Sequence, residues 1–307
     1  MNYSGEKKRS LFLWGAGISG LLIFFFVVAK YLNPPTPLND TLLNQMKKIE
    51  IVSLLRIHLM KSVEMEKNAV IAITDEESIE FSDKSRAESA KVDLYLKQLI
   101  AVVDTGRMQD EKKLVTEFNT CWTELCKIDR IILELAVQNT NLKAASLSRD
   151  QGTGAIQRFE KSLDDVMKSY SAGVTNEGRA LRLLFNSATS GLKIFNMHSS
   201  HIAEASDDKM DLIEKQMKEE EKTVSGSLDE LDRIASQKAR PDVLRAKEAF
   251  SEFMEVTAKV ITLSRQNSNI KSFELSLGRK RKIAAQCDEI LSAFQDIVRN
   301  RNFSATK

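Results

Sequence analysis

From residue 39 onward, apolar positions recur every three and four residues with few interruptions, the pattern of amphipathic helices rather than strands. One stretch steps through Leu114, Phe118, Cys121, Leu125, Ile128, Ile132, Leu135, Asn139 and Leu142, and another through Ala246, Ala249, Phe253, Val256, Val260, Leu263, Asn267 and Ile270. A sustained 3.5-residue apolar period is the seam of a left-handed helical bundle. The breaks predict helices over about 39–73, 76–104, 108–148, 154–171 and from the "SAGVTNEG" break to about 208, with a sixth ending near Gln237. Thr74-Asp75 reads as a turn and cap, Gly106 as a left-handed stop, and Gly152 with Gly154 as another break. Pro241 suits the first turn of a seventh helix, and Gly278 separates that helix from the last.

The N-terminus has a different pattern. Leu11 to Ala29 is an uncharged apolar run, followed by Pro34-Pro35-Thr36-Pro37. Gly15-x-Gly17-x-x-Gly20 within it has the spacing of a dinucleotide-binding turn, but that motif needs a preceding buried strand and an acidic residue closing a second one. Asp40 stands at the right distance yet follows the prolines, and no βαβ alternation comes after it. As a helix the run extends about 28 Å, the thickness of a bilayer core. The expectation is therefore a cytoplasmic segment 1–10, a transmembrane helix 11–31 and a Pro-rich linker 32–38. The flank of Lys7, Lys8 and Arg9 places the N-terminus inside and the helical region outside the cytoplasmic membrane. The run exceeds a usual signal-peptide core, so retention is expected over cleavage.

Composition narrows the rest. The chain has 307 residues, only 4 prolines and 12 glycines, and a net charge of +2, which favours long helices and gives no electrostatic case for nucleic acid. Three cysteines cannot make a disulfide framework. Cys121 and Cys126 point about 140° apart on one helix, so buried thiols are expected.

Four helices followed by four more suggest an internal repeat. A shift of 128 positions lays "TELCKIDRIILELAVQNTNLKAASLS" (123–148) over "SEFMEVTAKVITLSRQNSNIKSFELS" (251–276), with eight identities that include the block Q-N-[TS]-N-[LI]-K. The expected fold is all-α: two tandem up-down four-helix bundles, 39–172 and 176–303, forming an elongated rod.

A membrane helix followed by a bundle with Phe118, Trp122, Glu124, Leu125 and the run Leu135 to Ser148 resembles the HlyB-like four-helix-bundle sensory domain of methyl-accepting chemotaxis receptors. The resemblance covers about 40–170, and about 176–303 more weakly. It implies an extracytoplasmic ligand-sensing bundle. Such receptors also carry a second span and a cytoplasmic signalling coiled coil. The chain to Lys307 has neither, so output through another polypeptide is one expectation, beside an incomplete chain or a receptor-derived protein without chemotactic output. Expected partners are a small-molecule ligand and other membrane or signalling proteins paired through helices, with self-association into a homo-oligomer.

No catalytic motif, cofactor site or metal set emerges. His198 and His201 stand three apart on one helical face, but the Glu-x-x-His pattern of di-iron bundles is missing, because Leu55, Phe195 and His198 occupy the positions three before the histidines. The candidate ligand-binding residues are Asn139 and Asn267, polar in apolar seams, and Arg56, which could clamp a carboxylate. A seam asparagine that only fixes register would gain stability on replacement by leucine. A structural rod without ligand is the alternative function, and it would leave an apolar stripe exposed.

Overall fold

The computed structural model describes residues 40–104, 108–170 and 177–305. Within them the protein is all-α. The helices are α1 (Asp40–Ile71), α2 (Asp75–Asp104), α3 (Gln109–Ala136), α4 (Thr140–Leu147), α5 (Thr153–Tyr170), α6 (Glu177–Ala203), α7 (Asp207–Ile234), α8 (Arg240–Gln266), α9 (Ser268–Leu275) and α10 (Arg281–Ala305). A π turn joins α4 to α5 over Ser148–Gly152, and a second joins α9 to α10 over Ser276–Lys280.

Local chemistry accounts for the ends. Thr74 Oγ1 accepts from the Glu77 amide at 3.1 Å, capping α2, whose first turn holds Asp75, Glu76 and Glu77 against the positive end of the helix dipole. Pro241 sits in the first turn of α8, where its missing N–H costs nothing. The seam residues Phe118, Leu125, Ile132, Phe253 and Val260 are all buried.

Two hydrophobic cores form, and each draws on both halves of the chain. The first packs α1, α2 and α3 around Leu55, Leu99, Phe118 and Ile132, and is completed by Cys287, Leu291 and Phe294 of α10. The second packs α6, α7 and α8 around Leu184, Val224 and Phe253, and is completed by Phe159, Leu163 and Val166 of α5. The expected division at 172/176 therefore does not follow the packing, because the last helix of each half lies in the other half's core. Within the first core, serines let α1 and α2 approach closely: Ser78 donates to the Ala69 carbonyl and Ser85 to the Ser62 carbonyl, at 3.0 and 2.9 Å.

Three other expectations change. The helix predicted over 108–148 is interrupted after Ala136, because Asn139 adopts a left-handed conformation at φ 51°. Asn267 does the same at φ 56°. Gly152, Gly154 and Gly278 do not break the chain; they lie within continuous helical runs through the π turns. Cys121 is disulfide-bonded to Cys287, with Cα atoms 5.8 Å apart, an ordinary separation for such a bond. Only Cys126 remains a thiol among the described residues, and burial, with Asp93 and Asp129 nearby, pushes its pKa up to about 12.

The expected single-pass membrane localisation is corrected as well. No helix among the described residues is long and apolar enough to cross a membrane. The run 11–31 on which that expectation rested lies outside the described residues, as do the 1–10 and 32–38 segments, the Gly106 stop and most of the "SAGVTNEG" break.

Candidate functional site

The two cores meet where α3 turns into α4 and α8 into α9. The hydrogen bonds there are reciprocal across the 128-residue offset. The Thr140 amide donates to Ser268 Oγ and the Ser268 amide to Thr140 Oγ1, both at 3.0 Å. The Asn141 amide donates to Asn269 Oδ1 and the Asn269 amide to Asn141 Oδ1, both at 3.2 Å. Asn139 Oδ1 accepts from Asn269 Nδ2 at 2.9 Å, and Asn267 Oδ1 accepts from Asn141 Nδ2 at 2.8 Å. The outer donors tie in the helix turns: Asn139 Nδ2 reaches Asp75 Oδ1 at 2.9 Å, and Asn267 Nδ2 reaches the Glu204 carbonyl at 3.0 Å. The Asn139 hydrogen bond, before that of Lys143, holds the Asp75 carboxyl below its ordinary pKa.

Asn139 and Asn267 are thus buried, and their amide groups are engaged within the chain. Asparagine suits this position because it tolerates φ above zero better than other residues with side chains. Asn139→Leu is expected to lower stability by about 2–4 kcal/mol, combining a left-handed backbone strain of about 1–2 with the lost hydrogen bonds. Asn139→Gly should recover the backbone part. Urea denaturation of both variants reads this directly. A stabilised leucine variant would restore the simple seam role.

Arg56 is engaged as well. Its Nε and Nη2 donate to the two Asp288 oxygens at 2.7 and 3.0 Å, and Nη1 donates to Gln295 Oε1 at 3.0 Å. The carboxylate it clamps belongs to α10, so the arginine helps hold the exchanged helix on α1.

A buried polar side chain lies at each π turn, carried by the turn itself in the first core and by α6 in the second. In the first core Lys280 is 1% exposed; its ammonium hydrogen-bonds to Asp129 and lies 2.8 Å from Glu66 Oε2. Burial pushes the Glu66 pKa up against the pull of Lys280. In the second core the pseudo-equivalent of Lys280 is Gly152, and His198 supplies the polar group. Thr257 Oγ1 donates to the Phe253 carbonyl, so it accepts from His198 Nε2 at 3.1 Å. The neutral ring then presents Nδ1 as an acceptor to the Ser148 hydroxyl at 2.9 Å. One turn on, His201 Nδ1 faces Ser264 Oγ at 2.7 Å and Nε2 faces Glu214 at 3.0 Å. Sequence spacing had marked these histidines only as doubtful metal ligands. Among the described residues no group of His, Cys, Asp and Glu is arranged to hold a metal ion.

Burial, then the nearby His201, lowers the His198 pKa from 6.5 to about 4. The unfolded chain protonates this histidine at higher pH than the folded one, so its contribution is complete above about pH 6.5 and disappears as pH falls towards 4. The expected loss is about 3 kcal/mol over that window. It is read as the difference in acid dependence between the parent and His198→Gln; parallel curves would place the acid sensitivity elsewhere.

Compared with known proteins, the chain matches no family model, no curated protein and no solved structure.

Proposed function

We propose that the protein is a non-enzymatic sensory module in which binding at one helical core is passed to the other. The observation that carries this reading is the exchange of helices. The run from Thr140 to Tyr170 leaves the α1–α3 core and completes the α6–α8 core, while the run from Ser268 to Ala305 does the reverse. Neither core can shift its crossing helix without pulling on the asparagine hub. Coupling between sites needs such a contiguous element with interfaces at both ends. The resemblance of Leu135 to Ser148 to a chemoreceptor sensory domain agrees with this reading. The repeated element pattern, offset by 128 residues, agrees with descent from one duplicated unit.

The test is amide hydrogen exchange on the full chain carrying Phe253→Ala, a cavity in the second core. Faster exchange is expected in α6–α8 and also in α1 and α2. Unchanged protection of α1 and α2 would sink the coupling reading.

A rod-like scaffold is the second reading, and one observation favours it. Leu181, Phe185, Ala188 and Leu192 step by four, three and four along α6, and Phe185 is 70% exposed. An exposed seam of this kind suits helix pairing. Loss of self-association in Phe185→Glu, with exchange coupling absent, would favour the scaffold.

A further inference from the structure

The two π turns differ in the size of the residues around them. Where α9 and its π turn carry Phe273 and Lys280, α4 and its π turn carry Ala145 and Gly152, 128 positions earlier. In the first core the lysine side chain runs inward to Asp129 and Glu66. In the second there is no such side chain, and the space beside Gly152 is bounded closely: a Cβ there would meet Phe195 at 3.3 Å, Ser148 Oγ at 3.7 Å and His198 Nδ1 at 3.8 Å. On the outer side of Ser148 and Phe195 an open pocket of about 420 Å³ remains.

The walls of this pocket specify a chemistry. Phe195, Ile202 and Ala145 supply apolar surface, and Phe195 is fixed by an edge contact with His198 at 5.6 Å between centroids. Ser148 gives its proton to His198, so only the lone pairs of its oxygen are left for a ligand, while the Thr153 and Ser199 hydroxyls on the same wall can donate or accept. A ligand must therefore bring a donor to Ser148. Arg149 stands at the rim with its Nε donating to Asp150 Oδ1 at 3.2 Å, and the face of its guanidinium attracts an aromatic ring. We infer that this pocket binds a small aromatic molecule carrying one N–H or O–H donor, with the donor on Ser148 and the ring between Phe195 and Arg149. The inference rests on the sensory reading above and gives it a ligand class. The first core, with Phe273 and Lys280 at the matching positions, has no such role.

The experiment is calorimetric titration of the full chain with phenol and indole, with toluene as the ring without a donor and benzoate as the ring with acceptors only. Phenol and indole are expected to bind, and toluene at least ten-fold more weakly. Ala145→Phe, which installs the residue found at position 273, should abolish binding while leaving the Ser148–His198 hydrogen bond in place. Ser148→Ala should reduce phenol to the level of toluene. No binding of phenol or indole to the parent, or equal binding to the Ala145→Phe variant, overturns the site. Toluene as tight as phenol, or benzoate tighter, overturns the ligand class. Failure here leaves the hydrogen-exchange test of coupling untouched, so the two readings stand or fall separately.

Discussion

Residues 38–172 and 176–303, expressed apart, are expected not to reach the stability of the intact chain, and to recover it in a 1:1 complex when mixed. Each half retains three helices of one core but sends its last helix away to complete the other. In isolation the first half lacks Cys287, Leu291 and Phe294, and leaves Phe159, Leu163 and Val166 of α5 without the core they pack in. Burying each large apolar side chain contributes about 1.5–3 kcal/mol, so the five besides Cys287 together account for about 7–15 kcal/mol, as much as the total stability of an ordinary domain. Circular dichroism with sedimentation measures the outcome. Independent halves, each monomeric and as stable as the parent, would mean that α5 folds back onto α1–α3 in place of α10. The exchange would then be dispensable.

Lys280→Met is the second large effect. The ammonium lies between Glu66 and Asp129, both buried, and its removal leaves two carboxylates without their cation. Breaking a buried pair in this way costs about 3–5 kcal/mol. Burial raises the Glu66 pKa even with Lys280 beside it, so its charged form is less favourable in the fold than in the unfolded chain. The stability it contributes is present at low pH and lost as pH rises through the folded pKa. The destabilisation of Lys280→Met is therefore expected to be greatest near neutral pH and smaller at pH 5. Adding Glu66→Gln and Asp129→Asn should restore part of it. A variant as stable as the parent at pH 7 would show that the carboxylates are solvated or protonated without the lysine.

The helices were legible because glycine and proline are scarce and the 3.5-residue period is strong. Thr74, Pro241 and the two apolar seams took the places their chemistry predicts. Which core a helix joins was not legible. α5 and α10 begin at positions 128 residues apart, so either could complete either core by pattern alone. The hub was hidden for a related reason: the apolar period runs on through Asn139 and Asn267, and only the repeated Gln-Asn pair hinted at a left-handed residue. These asparagines are the ligand-binding candidates of the sequence, and in the structure their amides bond within the chain itself. Arg56 met a carboxylate, as its chemistry suggested, although that carboxylate is Asp288. Ser148 and His198 come together only because α4 crosses into the second core, so no local spacing could have paired them. The Cys121–Cys287 bond depends on the opposite crossing, that of α10 into the first core.

That bond also changes the covalent topology of the molecule. Residues 121 to 287 become a closed ring, 166 positions in span, that contains the whole of α4 to α9. A single peptide-bond cleavage anywhere inside this ring does not release a fragment, because the two new ends remain joined through sulfur. Nicked protein would migrate as one species until reductant is added. A cut in α1 or α2 would free its N-terminal piece at once. The ring also sets an order on synthesis: the α6–α8 helices are all present in the chain before Cys287 exists to close it.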